Sequence, residues 1–169
     1  MELILKNAEI FAREQHRHQL YGDNLPYSYH LEKTVNVCRY YRLGDQIEAA
    51  CWLHDILEDT AVSYADLGHK FGYAIADIVY SVTDEVGKNR KEKKEKTFTK
   101  LTRNPKGILV KFCDRIANVE ACKEFNNLQL LEMYKKELIY MKDLLEYLPH
   151  GAKLLGDSMY SHLEQIFKG

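Results

Sequence analysis

The chain has 169 residues, 46% of them hydrophobic, enough for one domain with a sizeable core and too few for two. Its 24 Lys and Arg against 25 Asp and Glu leave no global charge imbalance, which argues against duplex nucleic acid or an anionic membrane surface as partner and makes any anion recognition local. No apolar run approaches the roughly 18 residues of a membrane span, and charges at Glu2, Lys6, Glu9 and Arg13 do not suit a signal peptide, so a cytoplasmic protein is expected.

With 3 prolines, 9 glycines and little β-branched alternation, the pattern reads as helix after helix, an all-α fold. A first helix is expected over 1–20, closed by Gly22 to Pro26, and a second from Tyr29 to the stop at Gly44. Asp45 can cap a third, continuous to Thr60. A short helix from Ser63 or Tyr64 to Gly72 precedes one over 73–86, and Asn89 to Leu101 is strongly charged. Asn104-Pro105 opens a helix to Phe125, another covers 128–147, and a last one follows Pro149. The whole, 1–169, reads as one domain. Cys38, Cys51, Cys113 and Cys122 lack CxxC spacing and lie among apolar residues, as buried thiols of a reducing interior do.

The run His54-Asp55-Ile-Leu-Glu58-Asp59 carries most of the chemistry. On a continuous helix these four polar residues fall at about 0°, 100°, 40° and 140°, on the face that Ile47, Ala50 and Cys51 turn inward. Buried carboxylates are costly, and one divalent cation satisfies several together. His30 and Asp114 complete a set of two His and two Asp with positions left open, a mixed N/O donor set suited to Mn, Fe, Co or Zn. Glu58 and Asp59, one turn on, are placed to orient or deprotonate a water. The plainer alternative, an exposed acidic helix end beside a satisfied core histidine, explains no more than one residue at a time.

Tyr27-x-x-His30, His54-Asp55-x-x-Glu58-Asp59-Thr60 and Lys111-x-x-Asp114-Arg115-x-x-Asn118 resemble the HD-domain hydrolases, specifically the RelA/SpoT-type (p)ppGpp hydrolase branch in a small stand-alone form. The resemblance implies a helical bundle with a Mn2+ site between helices, held by His30, His54, Asp55 and Asp114, with Glu58 and Asp59 activating the water. It further implies a phosphorylated nucleotide as substrate and loss of pyrophosphate from its 3′ position.

Between Lys88 and Lys100 stand seven Lys or Arg and two Glu, a positive field inside a neutral chain. Arg90, Lys94 and Thr97 recur at i, i+4 and i+7, so one helix face can offer two cations and a hydroxyl to a polyphosphate; a solvated face with internal Glu–Lys pairs is the competing reading. Lys111 and Asn118 flank Asp114 by one turn on its own face; the family's asparagine there holds ribose or base. Tyr134 belongs to a segment that in similar enzymes borders the nucleotide, and Arg115 reads as a helix lock. The family's basic pair after His-x-x-Gln is absent: His16-Arg17-His18-Gln19 leads into Leu20-Tyr21-Gly22, leaving Arg17 as the substitute. That departure keeps two alternatives open, a phosphatase of another nucleotide (a nucleoside monophosphate or NADPH) and a non-catalytic nucleotide sensor.

Overall fold

The computed structural model describes residues 2–168. They form a helical bundle: α1 (Glu2–Gln15), α2 (Ser28–Tyr40), α3 (Asp45–Leu53), α4 (Ile56–Asp59), α5 (Tyr64–Phe71), α6 (Tyr73–Val82), α7 (Arg90–Leu101), α8 (Pro105–Glu124), α9 (Leu128–Lys136), α10 (Leu138–Leu145) and α11 (His150–Lys168). A two-residue hairpin, β1 (Leu20–Tyr21) with β2 (Leu25–Pro26), joins α1 to α2 in antiparallel register Leu20↔Pro26. Among the described residues no helix is long and apolar enough to cross a membrane.

Helix α8 is the axis. Asn104 caps it by accepting from the Gly107 amide, Pro105 opens it, and Phe112, Ile116 and Val119 are fully buried along it. Helices α2, α3, α6 and α11 pack around it. Gly107 is required: a Cβ there would overlap the Ser81 hydroxyl on α6. All four cysteines are free and buried.

Several boundaries are set by local chemistry that the hydrophobic period does not carry. Helix α2 stops at Tyr40, short of Gly44, because Arg42 adopts φ +53° and the Leu43 and Arg42 amides bond back to the Cys38 and Arg39 carbonyls, a Schellman closure. Asn126 (φ +54°) closes α8 in the same way, with Asn127 and Asn126 donating to Cys122 and Lys123. Ser63 and Asp66 form a capping box on α5. Helix α1 ends at Gln15, not Leu20, since the Gln19 carbonyl is taken by the Tyr27 amide at the hairpin base. Asp45 is the first residue of α3 rather than its cap, which is Gly44 (φ +90°). The helices expected over 45–60 and 128–147 are each broken, at His54-Asp55 and at Glu137, and both breaks lie at the functional site. Helix α6 ends at Val82, where Thr83 turns extended and starts the loop into α7.

Candidate metal centre and anion pocket

Three buried elements bring four donors to one point. His30 comes from the first turn of α2, His54 from the C-cap of α3, Asp55 from the residue between α3 and α4, and Asp114 from the middle of α8. The His30 and His54 Nε2 atoms stand 3.1 Å apart. Asp55 Oδ2 lies 2.9 Å from His54 Nε2 and 3.5 Å from His30 Nε2; Asp114 Oδ1 lies 3.3 Å from His30 Nε2 and 3.7 Å from His54 Nε2. Both histidines are 3% exposed.

The break after Leu53 corrects the expectation of a continuous helix. Asp55 (φ −97°, ψ −2°) stays right-handed but departs from ideal helix values, and with His54 it forms a turn between α3 and α4, so the angular argument for a continuous helix face does not carry past His54. The break aims Asp55 back at the two imidazoles, and α4 restarts with the Glu58 and Asp59 amides on the Asp55 carbonyl.

The protonation pattern suits a cation. His54 Nδ1 donates to the Cys51 carbonyl at 2.8 Å, which leaves Nε2 as the nitrogen that faces the carboxylate oxygens and can carry either a proton or a cation toward them. Burial opposes charge on His54, yet Asp55 and Asp114 hold its pKa well above the ordinary value. Burial likewise opposes the Asp55 and Asp114 carboxylates, but His54 and His30 pull Asp55 down, and Lys111 and the histidines pull Asp114 down. Lone pairs and carboxylates converging in a buried site need a shared positive charge, and a divalent ion supplies it. His30, His54 and Asp55 offer ligand atoms close enough together to hold one.

Around the donors lies a tier of groups that orient them. Tyr27 donates its hydroxyl to Asp55 Oδ2 at 2.6 Å. The Tyr21 ring stacks on His30 (centroids 5.1 Å, planes 3° apart), and its hydroxyl donates to Asn118 Oδ1 at 2.9 Å. Asn118 in turn donates to Asp114 Oδ1. Lys111 Nζ lies 3.2 Å from Asp114 Oδ2. His16 is buried, stacks on Tyr27 and bonds Gln19, whose amide reaches Asp59 Oδ2 at 2.7 Å.

Next to the donors is a cavity of about 240 Å³. His30, Asp55 and Asp114 form one side of its wall; Arg90, Lys94, Lys111 and Arg115 supply the cations of the rest, with Asp84 among them and Tyr21, Tyr27, Asn118 and Tyr134 completing it. A second cavity of about 520 Å³ adjoins it across Tyr21, Asn118 and Tyr134 and continues to Asp23, Asn24 and Asn127. Five of the seven expected substrate residues, Arg90, Lys94, Lys111, Asn118 and Tyr134, therefore face one space.

Thr97 and Arg17 do not. Thr97 is fully buried, donating to the Lys93 carbonyl and accepting from the Glu85 amide at 2.9 Å, so it pins the loop before α7 and has no face for substrate. Arg17 is exposed, bonded to His18 and the Glu14 carbonyl, and contributes to neither cavity wall. Most of the lysine run is also spent elsewhere: Lys96 on Glu92, Lys100 on Glu85 and the Thr83 carbonyl.

Glu58 and Asp59 lie at the rim rather than in the cavity wall. Glu58 accepts from the Asp84 amide; although its side chain reaches solvent, crowding by neighbouring atoms and the Asp55 charge raise its carboxyl above the ordinary range. Periodicity alone did not single out Tyr21, Gln19, Asp84 or Glu137. Glu137 sits at the break between α9 and α10 and binds Arg90 (2.6 Å), Lys94 (3.2 Å) and Arg115 (2.9 Å) together.

The profile of the HD domain family matches residues 8–140, and the chain belongs to that family. It is 28% identical over 96% of its length to a Vibrio cholerae protein named guanosine-3′,5′-bis(diphosphate) 3′-pyrophosphohydrolase, and 31% identical over 95% to one of the same name from Aquifex aeolicus. In each case it spans only 23% of that relative. Among solved structures it resembles a metazoan orthologue of SpoT described as hydrolysing ppGpp, with TM-score 0.73 and 21% identity over 98% of this chain and 94% of that one. At that identity the likeness speaks for the HD-domain helical bundle and not for the reaction.

Proposed function

We propose that this HD-domain chain, residues 1–169 acting as a single domain in the cytoplasm, is a metal-dependent hydrolase that removes pyrophosphate from the 3′ position of (p)ppGpp or a closely related nucleotide. The observation that carries the reading is the two-sided cavity: converging lone pairs and carboxylates at one side, four cations at the other, within about 240 Å³. The names of the relatives point the same way.

His30, His54, Asp55 and Asp114 would hold the ion, with Mn2+ the first choice for two nitrogens and two carboxylates and Fe2+, Co2+ or Zn2+ compatible with the same set. When bound, it polarises a phosphoryl oxygen and makes a neighbouring water more acidic. Glu58, whose raised pKa brings it nearer neutrality, takes the proton from the attacking water. Asp59, fixed by Gln19, orients that water. The water oxygen bonds to the phosphorus next to the ribose, the bond from that phosphorus to the 3′ oxygen breaks, and the 3′ oxygen leaves to take up a proton. Arg90, Lys94 and Lys111 bind the diphosphate, and Asn118 with Tyr134 holds the nucleoside toward the adjoining cavity.

A screen of ppGpp, pppGpp, NADPH and nucleoside monophosphates with Mn2+ and product identification tests the reading. Pyrophosphate from ppGpp, abolished by Asp55→Ala, is expected; orthophosphate alone would replace it with the nucleotide-phosphatase reading, and binding without turnover with the sensor reading. The phosphatase alternative draws on one observation: Arg17 is turned away, so the walls of the second cavity carry no Lys or Arg.

A further inference from the structure

Arg115 is 2% exposed, yet among the described residues its Nη1 has no hydrogen-bond partner. A helix-locking arginine satisfies its guanidinium; a buried charged N–H left unpaired is costly and calls for a partner that arrives later. The rest of the group is held firmly. Nη2 lies 2.9 Å from Glu137 Oε2, and the guanidinium lies 4.5 Å from the centre of the Tyr134 ring. Arg115 is one of the residues that line the cavity holding Asp55 and Asp114.

Arg90, Lys94 and Lys111 stand around it in that wall, and Glu137 is the carboxylate that Arg90, Lys94 and Arg115 share. Burial would raise the Glu137 carboxyl, but these cations pull it down to about 2. At Lys94 the cations still prevail over that carboxylate: burial, Lys111 and Arg115 press its ammonium down to about 8. Glu137 itself is absent from the cavity wall. It borders a separate outer groove with Arg90 and Lys94, and so grips these cations from outside the cavity while leaving their inner side free. Asp84 also lines the wall and Lys111 is paired with Asp114, so what the wall leaves unmatched is the Arg115 Nη1 donor beside Arg90 and Lys94, and three long cationic side chains around one unused donor suit the several oxygens of a diphosphate group better than a single phosphoryl.

We propose that Arg115 binds a diphosphate group through its free Nη1, and that Glu137 is the positioning residue that holds Arg115, Arg90 and Lys94 around that group. This deepens the hydrolase reading and rests on it for the identity of the diphosphate. The break between α9 and α10 has a use in this light, because it is where the chain delivers the Glu137 carboxylate.

The test is titration calorimetry of inorganic pyrophosphate into the full chain with Mn2+, for wild type, Arg115→Lys and Glu137→Gln, with Mn2+ affinity and thermal melting measured alongside. Arg115→Lys keeps the charge and loses the fork, and should weaken pyrophosphate tenfold or more with Mn2+ affinity unchanged. Glu137→Gln removes a negative charge, so simple electrostatics would tighten the anion; a loss of three- to tenfold instead marks positioning. Wild-type affinity in Arg115→Lys, or tighter binding in Glu137→Gln, overturns the proposal. Should one variant fail to melt cooperatively, the other decides. GDP as competitor separates the two sources of a diphosphate: pyrophosphate binding that GDP leaves unchanged assigns the cradle to the leaving group, and pyrophosphate binding that GDP abolishes assigns it to the 5′ diphosphate. Pyrophosphate binding without any nucleotide turnover would sink the hydrolase reading and leave the cradle standing. Turnover together with unaltered pyrophosphate binding in both variants would sink the cradle alone.

Discussion

At one end of the cavity two imidazoles and two carboxylates turn side-chain atoms toward a common point from α2, the α3–α4 break and α8; at the other, Arg90, Lys94 and Arg115 are gathered from outside the cavity by one carboxylate, Glu137. The donor end is built from the core. His30 and His54 are 3% exposed, and α2 and α3, which carry them, pack on each other and on α8. The cationic end is built partly from the surface, with Arg90 on the exposed face of α7 and Lys94 reaching inward from the same helix. The lesson is about tolerance. A site assembled from three core helices cannot shift without disturbing the packing that defines it, whereas long side chains from a peripheral helix can adjust to an anion, and their reach is governed by the one carboxylate that gathers them.

That contrast can be broken at its strongest point first. His54→Ala should abolish metal-dependent turnover, since it removes one of two nitrogen donors, while leaving the secondary structure intact; circular dichroism and a metal-uptake assay check it. Retained turnover without metal uptake would mean that the donor end has no such role. Glu58→Gln should lower kcat by roughly 10²- to 10⁴-fold with metal binding retained, and the acid limb of the wild-type pH profile should lie above the usual carboxylate range because the Glu58 pKa is raised.

Metal removal probes stability at the donor end. An ion bound only by the folded state adds about 2.7 kcal/mol at a hundredfold excess over its Kd, so Mn2+ should raise Tm by several degrees in wild type and not in His54→Ala. The cationic end should respond more gently, through KM. The Lys94 pKa is lowered to about 8, so its charge is present below that pH and lost as pH rises through it. kcat/KM should therefore fall above about pH 8 through a rising KM, and Lys94→Arg, which stays charged, should flatten that limb. An alkaline limb unchanged in Lys94→Arg would assign it to another group. The smallest effect is expected from Thr97→Ser, which keeps the hydroxyl bonds to Glu85 and Lys93 and should leave KM unaltered. A rise in KM would show that packing of the Thr97 methyl, and not its hydroxyl bonds alone, holds α7 in place for the anion.

Much of the donor end was readable from residue types. A His-Asp pair with a distant His and Asp is an unusual combination for a helical chain, and the four residues do converge, although the helix expected to carry them is broken at Asp55. The cationic end was readable only in part. Periodicity placed Arg90 and Lys94 on one face, and they do share a cavity wall, but the same periodicity put Thr97 there too, and burial of Thr97 beneath the Glu85 amide removes it. Arg115 read as a lock because its neighbours in sequence say nothing of the empty position at Nη1.

By itself the sequence determined the succession of helices, the caps at Ser63, Asn89 and Asn104, and the supply of chemistry: two nitrogens and several carboxylates for a cation, a local excess of lysine and arginine for an anion. Only the tertiary structure decided which members of that supply face one another. Tyr21 meets Asn118 across 97 positions and Arg90 meets Glu137 across 47, separations at which neither helical period nor local propensity carries a signal. The packing of α2, α3 and α7 to α10 sets those distances, because each helix can turn only one stripe to the core, and that choice fixes what its other faces present to the cavity.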